Sequence, residues 1–282
     1  MEVIVKHIEY NHRSDKFPLY PIGDSHLGII HCDEDFLRAT VAEIKANKNA
    51  LWLGMGDYGD CITPSDFKRW EGKALAPWMK DNVDNIGPTQ VEKVDEIFSP
   101  IWGQCLGLIE GNHDDNIRRY THYDFMRELL KRANRKHKVP YAGVSCIVRL
   151  SFKRLGSETM DYLVHARHGE GSARTSGARA LAVLRLVPVF TQAHITLMGH
   201  LHGQESPDIP QRLTLNRRDQ IKSFETIATM TGSWLRAYMQ GVPPIYLERW
   251  GSPPSVLGCP RIILEPDKRK MTLEKSRMIR LL

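Results

Sequence analysis

An α/β fold is predicted for this chain of 282 residues, and three observations predict it. Short apolar runs alternate with segments whose apolar residues recur at three- and four-residue spacing, the pattern of strands interleaved with amphipathic helices. Nearly every apolar run empties into a loop that sets glycine beside aspartate, asparagine or histidine. The hydrophobic fraction of 41% suffices for a large buried core, while the charged fraction of 26% is that of an ordinary soluble protein. No internal repeat or low-complexity stretch marks a boundary. Residues 1–282 therefore read as one domain, with surface excursions at about 63–88 and 203–222 and a basic C-terminal tail (Lys268, Arg269, Lys270, Lys275, Arg277, Arg280) taken as solvated.

In order along the chain, residues 1–15 are polar and mixed, suiting an edge strand and a loop. Pro18-Leu19-Tyr20-Pro21-Ile22-Gly23 reads as a short buried strand, although two prolines argue against a central position because proline cannot donate to a ladder. Asp33 is placed to cap a helix carrying Phe36, Leu37, Val41 and Ile44 on one side as far as Asn47. Residues 50–55 and 105–109 are strands, with a helix at about 89–98 between them. Residues 123–137 form an amphipathic helix. Residues 144–150 and 160–166 form a hairpin about Gly156, followed by a helix over 178–187. Strands are expected at 195–198, 224–231 and 261–265.

The net charge of +6 and a sequence pI of about 9.0 favour anionic partners, though only mildly. Cys32, Cys61, Cys105, Cys146 and Cys259 are odd in number and scattered, with no Cys-x-x-Cys pair. This argues against a disulfide framework or a thiolate zinc site and for a reducing compartment. The first residues carry no apolar stretch after a basic start, and no apolar run is long enough to span a bilayer. A cytoplasmic protein without a membrane partner is expected.

The chemistry gathers at strand ends. The loops are Asp24-Ser25-His26, Gly56-Asp57, Gly111-Asn112-His113-Asp114, His165-Ala166-Arg167-His168-Gly169 and Gly199-His200-Leu201-His202. Residues two apart in a strand share a face, so each His-x-His or Asp-x-His pair can converge on one small volume. Carboxylates, a carboxamide and imidazoles without thiolate make a mixed N/O donor set. Such sets suit manganese, iron, nickel or zinc better than calcium. The donors are too numerous for one tetrahedral ion and fit two.

The order Asp-x-His, Gly-Asp, Gly-Asn-His-Asp, His-Gly, Gly-His-x-His resembles the calcineurin-like metallophosphoesterase superfamily over residues 24–202. A looser likeness in Thr231-Gly232-Ser233-Trp234-Leu235 and in residues 246–260 is to a subgroup encoded by phages and prophages. The resemblance implies a sandwich of two mixed β-sheets flanked by helices, with a dinuclear centre at one rim. It implies Asp24, His26 and His202 on one divalent transition-metal ion, Asn112, His200 and His168 on the other, and Asp57 bridging. His165 is the alternative to His168, within an apolar strand. Asn112 and His113 would meet the phosphoester, His113 protonating the leaving alkoxide with Asp114 orienting its ring. The nucleophile would be a hydroxide bridging the ions. Arg174, in the loop after His168, is a candidate for gripping phosphate. Asp60, His31, His122, His137 and His194 read as ordinary loop or structural residues, and Trp70 and Trp78 as packing rather than base-stacking. Glu110 stands where the family's protein phosphatases carry arginine. The expected activity is hydrolysis of a phosphodiester or nucleotide-type phosphoester. The alternatives are a DNA nuclease, a phosphomonoesterase or protein phosphatase, and a non-catalytic scaffold.

Overall fold

A computed structural model of the chain describes residues 1–209, 211–215, 218–254 and 256–276. Its elements are β1 (Glu2–Tyr10), β2 (Phe17–Ile22), α1 (Glu34–Ala46), β3 (Leu51–Gly54), α2 (Pro77–Lys80), α3 (Ile86–Phe98), β4 (Cys105–Leu108), α4 (Asn112–Thr121), α5 (Phe125–Ala133), β5 (Ser145–Arg154), β6 (Ser157–Arg167) and α6 (Ser176–Leu186). They continue with β7 (Ile195–Met198), β8 (Arg212–Leu215), β9 (Ile221–Phe224), β10 (Ile227–Met230), α7 (Tyr246–Arg249), β11 (Arg261–Glu265) and β12 (Lys270–Glu274). Two mixed sheets of five strands result, ordered β1-β5-β6-β7-β10 and β12-β11-β2-β3-β4, and β8 and β9 form a separate hairpin.

The two-residue period of the strands builds the layers. On β3, Leu51 and Leu53 face inward and join Leu19, Leu106 and Ile262 of their own sheet with Phe152, Val164, Ile195 and Leu197 of the other. Trp52, between them, points outward into a second cluster with Leu37, Val41 and Ile44 of α1 and Val91, Val94 and Phe98 of α3. Trp52 stacks on Phe98 at 5.1 Å between centroids and donates from Nε1 to the Ile101 carbonyl. On the opposite flank, Val183 and Leu186 of α6 cover Met198 of β7 and Ala228 and Met230 of β10. The α/β sandwich of two mixed sheets flanked by helices is thus the observed fold.

Several local expectations change. β2 is central despite Pro18 and Pro21, because pairing with β3 begins at Leu19 and pairing with β11 stops there, so Pro18 lies before the one ladder and Pro21 beyond the other. The segment 112–121, whose first three residues are read from the sequence as loop, is helix α4. It has almost no apolar period (His113, Asp114 and Ile117 are its buried residues), but Asp114 and Asp115 in its first turn and Arg118 and Arg119 in its last complement the helix dipole. Part of the expected basic tail is strand: β12 pairs antiparallel with β11 at the sheet edge. Arg277 and Arg280 lie outside the described residues. The 63–88 excursion is short helical turns, and the 203–222 insertion contributes β8 and the start of β9. Asp33 caps α1 as expected, its carboxylate accepting from Phe36 N–H at 3.1 Å. No helix among the described residues is long and apolar enough to cross a membrane.

Truncating a fully buried side chain between the sheets leaves a void. Leu197→Ala should cost about 2–5 kcal/mol. Leu155→Ala, at an exposed turn, should change stability by less than about 0.5 kcal/mol. Urea denaturation midpoints of the two variants check this, and equal shifts would contradict the assigned core.

Candidate metal centre

The parallel strands β2, β3 and β4 of one sheet and β6 and β7 of the other release their chains at a common rim. Ligands in α/β sheets bind beyond such carboxyl ends. β2 delivers Asp24 and His26, β3 Asp57 and Asp60, β4 Asn112 and His113, β6 His168, and β7 His200 and His202.

These side chains gather into groups that can hold metal ions. Asp24, His26 and His202 form one and Asp57, His168 and His200 a second. In the first, the Nε2 atoms of His26 and His202 lie 3.1 Å apart, and His202 Nε2 is 3.3 Å from Asp24 Oδ1. In the second, His168 Nε2 is 3.2 Å from Asp57 Oδ2 and 3.0 Å from Asn112 Oδ1. A third group joins His26 and His113 to Asp60, a residue that sequence reasoning treated as an ordinary loop carboxylate. Its position three residues after Asp57, in the same strand-end loop, was the available signal. His200 and His202 fall into separate groups.

The residues fit a bound cation. Two ring nitrogens face each other across 3.1 Å beside a buried carboxylate. Among the described residues, Nδ1 of His202 has no hydrogen-bond partner, and Nδ1 of His26 has only Asp60 Oδ1, at 3.5 Å. The donors are nitrogen and oxygen without thiolate, the set suited to first-row transition ions. The backbone is strained at the same place. Asp24, His26, Asp57, His200 and His202 all have φ between 47° and 70°. Side chains other than glycine seldom adopt this left-handed conformation, which costs about 1–3 kcal/mol per residue and clusters at functional sites.

Backbone packing holds the two loops of one sheet together. A Cβ on Gly111 would lie 2.1 Å from Asp57 Oδ1 and 2.4 Å from Asp57 N, so only glycine permits this approach. Asp57 Oδ1 accepts from His113 N–H at 2.9 Å. Asp114 does not orient the His113 ring, contrary to the sequence expectation. Its carboxylate instead accepts the backbone N–H groups of Asp57 (2.8 Å), Tyr58 (3.2 Å) and Gly111 (2.9 Å), fastening the start of α4 to the Asp57 loop. Both oxygens are thereby turned to backbone. The His113 ring is held by Asp60: Nδ1 meets the Asp60 carbonyl and lies 3.9 Å from its carboxylate.

Charge balance is carried across the two sheets. Burial alone would raise Asp57, but the His168 charge and hydrogen bond, with His113, hold it well below the usual carboxylate range. Burial would lower His168, yet Asp57 holds it up at about 10. Asp24 is lowered against its burial by the His202 hydrogen bond and the His168 charge. Burial pushes His26 down, and burial and the His168 charge push His200 down. Burial and the Asp57 charge push Asp114 up to about 8.

His168, and not His165, enters the centre. Val164 and Ala166 on either side of His165 face the inter-sheet core. His165 therefore projects from the other face, 3.5 Å from Ser145 Oγ and edge-on to Phe190. Arg174 is exposed and lines the cleft of about 690 Å³ above the centre. Arg69, Arg179 and Tyr246 are among the lining residues that sequence reasoning missed. Arg69, in the 63–88 excursion, is held by Asp66 through a 2.7 Å hydrogen bond from Nε. Arg179 is buried, paired with Glu205 at 3.3 Å, and donates to the Arg174 carbonyl, so it braces the Arg174 loop. Tyr246 lies 6.3 Å ring to ring from His113, its hydroxyl held neutral by burial and by the Asp60, Asp57 and Asp24 charges. The Thr231–Leu235 segment supports the centre from behind: Ser233 Oγ donates to the Asp24 carbonyl at 2.8 Å.

No family model matches the chain, and no curated protein does. Among solved structures, a conserved uncharacterised protein from Streptococcus pneumoniae TIGR4, described as a predicted phosphoesterase, aligns at 13% identity. The alignment covers 88% of this chain and 83% of that one, with a TM-score of 0.34. The Haemophilus influenzae NAD nucleotidase aligns at 11% identity over 94% of this chain and 50% of that one, with a TM-score of 0.36. At these values the functional reading rests on the residues of the chain itself.

Two measurements follow from the geometry. His168→Ala should lose metal by elemental analysis, whereas His165→Ala should retain it; the reverse result contradicts the arrangement. Metal ligation needs neutral imidazole. Because His168 stays protonated up to about pH 10 without metal, loading the Asp57 group at neutral pH should release a proton and metal affinity should rise with pH up to that value. Calorimetry in buffers of different ionisation enthalpy reads the release, and a pH-independent affinity would contradict it.

Proposed function

We propose that the chain is a metal-dependent phosphoesterase of the calcineurin-like type, hydrolysing a phosphodiester or nucleotide-type phosphoester. The observation that carries this reading is the convergence of two N/O donor groups from loops of both sheets, beside an imidazole, His113, that lines the same cleft. Asp24, His26 and His202 would hold one divalent ion, Asn112, His168 and His200 a second, and Asp57 would serve both. Ions bound there supply Lewis-acid polarisation of the phosphoryl group and acidify a water.

The remaining work falls to the protein. A carbonyl can only accept, so His113 Nδ1 carries its hydrogen toward Asp60 and Nε2 is the atom left to pass a proton to the departing alkoxide. Asp60 is then the positioning residue for which sequence reasoning nominated Asp114. Asn112, at the first position of α4, is shared between metal and substrate. Arg174 and Arg69 supply guanidinium groups at the mouth of the cleft for phosphoryl oxygens. Glu110 favours the diester over the phosphoprotein reading: a buried carboxylate bonded by Tyr141 at 2.6 Å occupies the position where the family's protein phosphatases carry arginine. The likeness to phage and prophage members rests on the sequence of residues 231–235 and 246–260 alone. Five buried, unpaired cysteines accord with a cytoplasmic location.

The purified protein should bind about two transition-metal ions per chain. His113→Asn should keep them while losing turnover of a phosphodiester by about 10²–10⁴-fold. Metal analysis alongside steady-state kinetics tests this. Loss of metal from this variant would make His113 a ligand, and no metal-stimulated hydrolysis of any mono- or diester by the unmodified chain would end the enzyme reading.

A further inference from the structure

A second cleft of about 620 Å³ adjoins the metal cleft and shares Arg69, Tyr246 and Trp250 with it. Asp60 lines its inner end, so it begins beside His113. Trp70, from the 63–88 excursion, and Trp250, just after α7, both line it. Trp250 is 48% exposed, unusual for so large an apolar ring, and packs against Tyr246 at 5.1 Å and 60°. The two sides are tied by an ion pair at 3.0 Å between Arg249 and Glu71. Lys68 and Arg69 add positive charge. Asp66 engages Arg69 through Nε at 2.7 Å and Nη2 at 2.5 Å, which leaves Nη1 outside that ion pair, and Arg69 lines both clefts.

We infer that this second cleft seats a nucleobase of the substrate, Trp250 supplying the stacking surface while Arg69 spans the clefts to the adjoining phosphate. The inference rests on the phosphoesterase reading and specifies its substrate as a nucleotide phosphodiester. An exposed aromatic surface interleaved with cations is the arrangement that binds bases by their π-faces and the backbone by its charge. A phosphorylated serine or a small alkyl ester has no flat group to cover Trp250. Trp78 has no such role, since its Nε1 donates to Glu34 and its ring packs against Lys93.

The test uses the metal-loaded full chain and three substrates: a thymidine dinucleotide and its two analogues lacking the base on the 5′ or the 3′ side. Removing one of the two bases should lower kcat/KM by about tenfold or more, chiefly through KM. Trp250→Ala should erase the difference between the intact and that abasic substrate, and Trp250→Phe should restore it. Equal rates on all three substrates, or a base preference that persists in Trp250→Ala, would overturn the subsite while leaving the phosphoesterase reading intact. If none of the three is hydrolysed while simple diesters are, the subsite also fails. If no ester of any kind is hydrolysed, the phosphoesterase reading fails. Equilibrium binding of thymidine 5′-monophosphate then decides the subsite: binding weakened about tenfold in Trp250→Ala supports it, and equal binding or none overturns it.

Discussion

Two buried carboxylates, Asp24 and Asp57, set the terms for the rest of the structure. Each is almost wholly removed from water, and the charge of Asp57 acts against ionisation of Asp24. Burying like charges together is costly unless positive groups and N–H donors answer them. The answers come largely from the other sheet. Asp24, beyond β2, is met by His202 and by the backbone N–H of His200, both beyond β7. Asp57, beyond β3, is met by His168, beyond β6. The centre is therefore both the product of the two sheets meeting at this rim and one of the contacts that hold them there.

The fold absorbs a concentrated local cost to achieve this. Left-handed backbone at five candidate ligands turns successive side chains toward one volume, which regular strand geometry would send to opposite faces. Around them the packing leaves little freedom. Gly111 meets Asp57 backbone to backbone, and Asp114 fastens three N–H groups of the two loops. Ser233 anchors the Asp24 loop from behind. Beneath lies the inter-sheet core of Leu53, Val164, Leu197 and their neighbours. Strain of this kind persists only where the surroundings over-determine it.

The walls of the two clefts beside the centre are built differently. Their guanidinium groups and the Trp70, Tyr246 and Trp250 rings come from the 63–88 excursion, the loop before α6, α6 itself and the segment around α7, and not from strand ends. Asp66 holds Arg69 in place, and Glu205 holds Arg179, which braces the Arg174 loop, so the cleft walls are ordered before a ligand arrives. In the proposed enzyme, chemistry would fall to the sheet rim and substrate selection to the excursions.

Much of the centre was legible in the sequence because ligand chemistry and strand-end placement are local properties. Residue type, a spacing of two between imidazoles and a preceding apolar run suffice to nominate the donor loops at Asp24-x-His26, Asp57, Asn112 to Asp114, His165 to His168 and His200-x-His202, while the choice of ligands within them came from the resemblance to metallophosphoesterases. The layer pattern was legible too, since the alternation of Leu51, Trp52 and Leu53 is a one-dimensional record of which face each side chain takes. Helix α4 was not, because it lacks an apolar stripe and is held by bonds to a loop more than fifty residues away. Nor could the sequence separate His165 from His168, assign the His113 ring to Asp60 rather than Asp114, or bring Arg69 and Trp250 to one cleft. The sequence by itself determined which chemistry is available, and the tertiary structure alone decided which groups share it. Contacts such as that between His26 and His202, 176 residues apart, depend on how two sheets pack and leave no trace in local spacing.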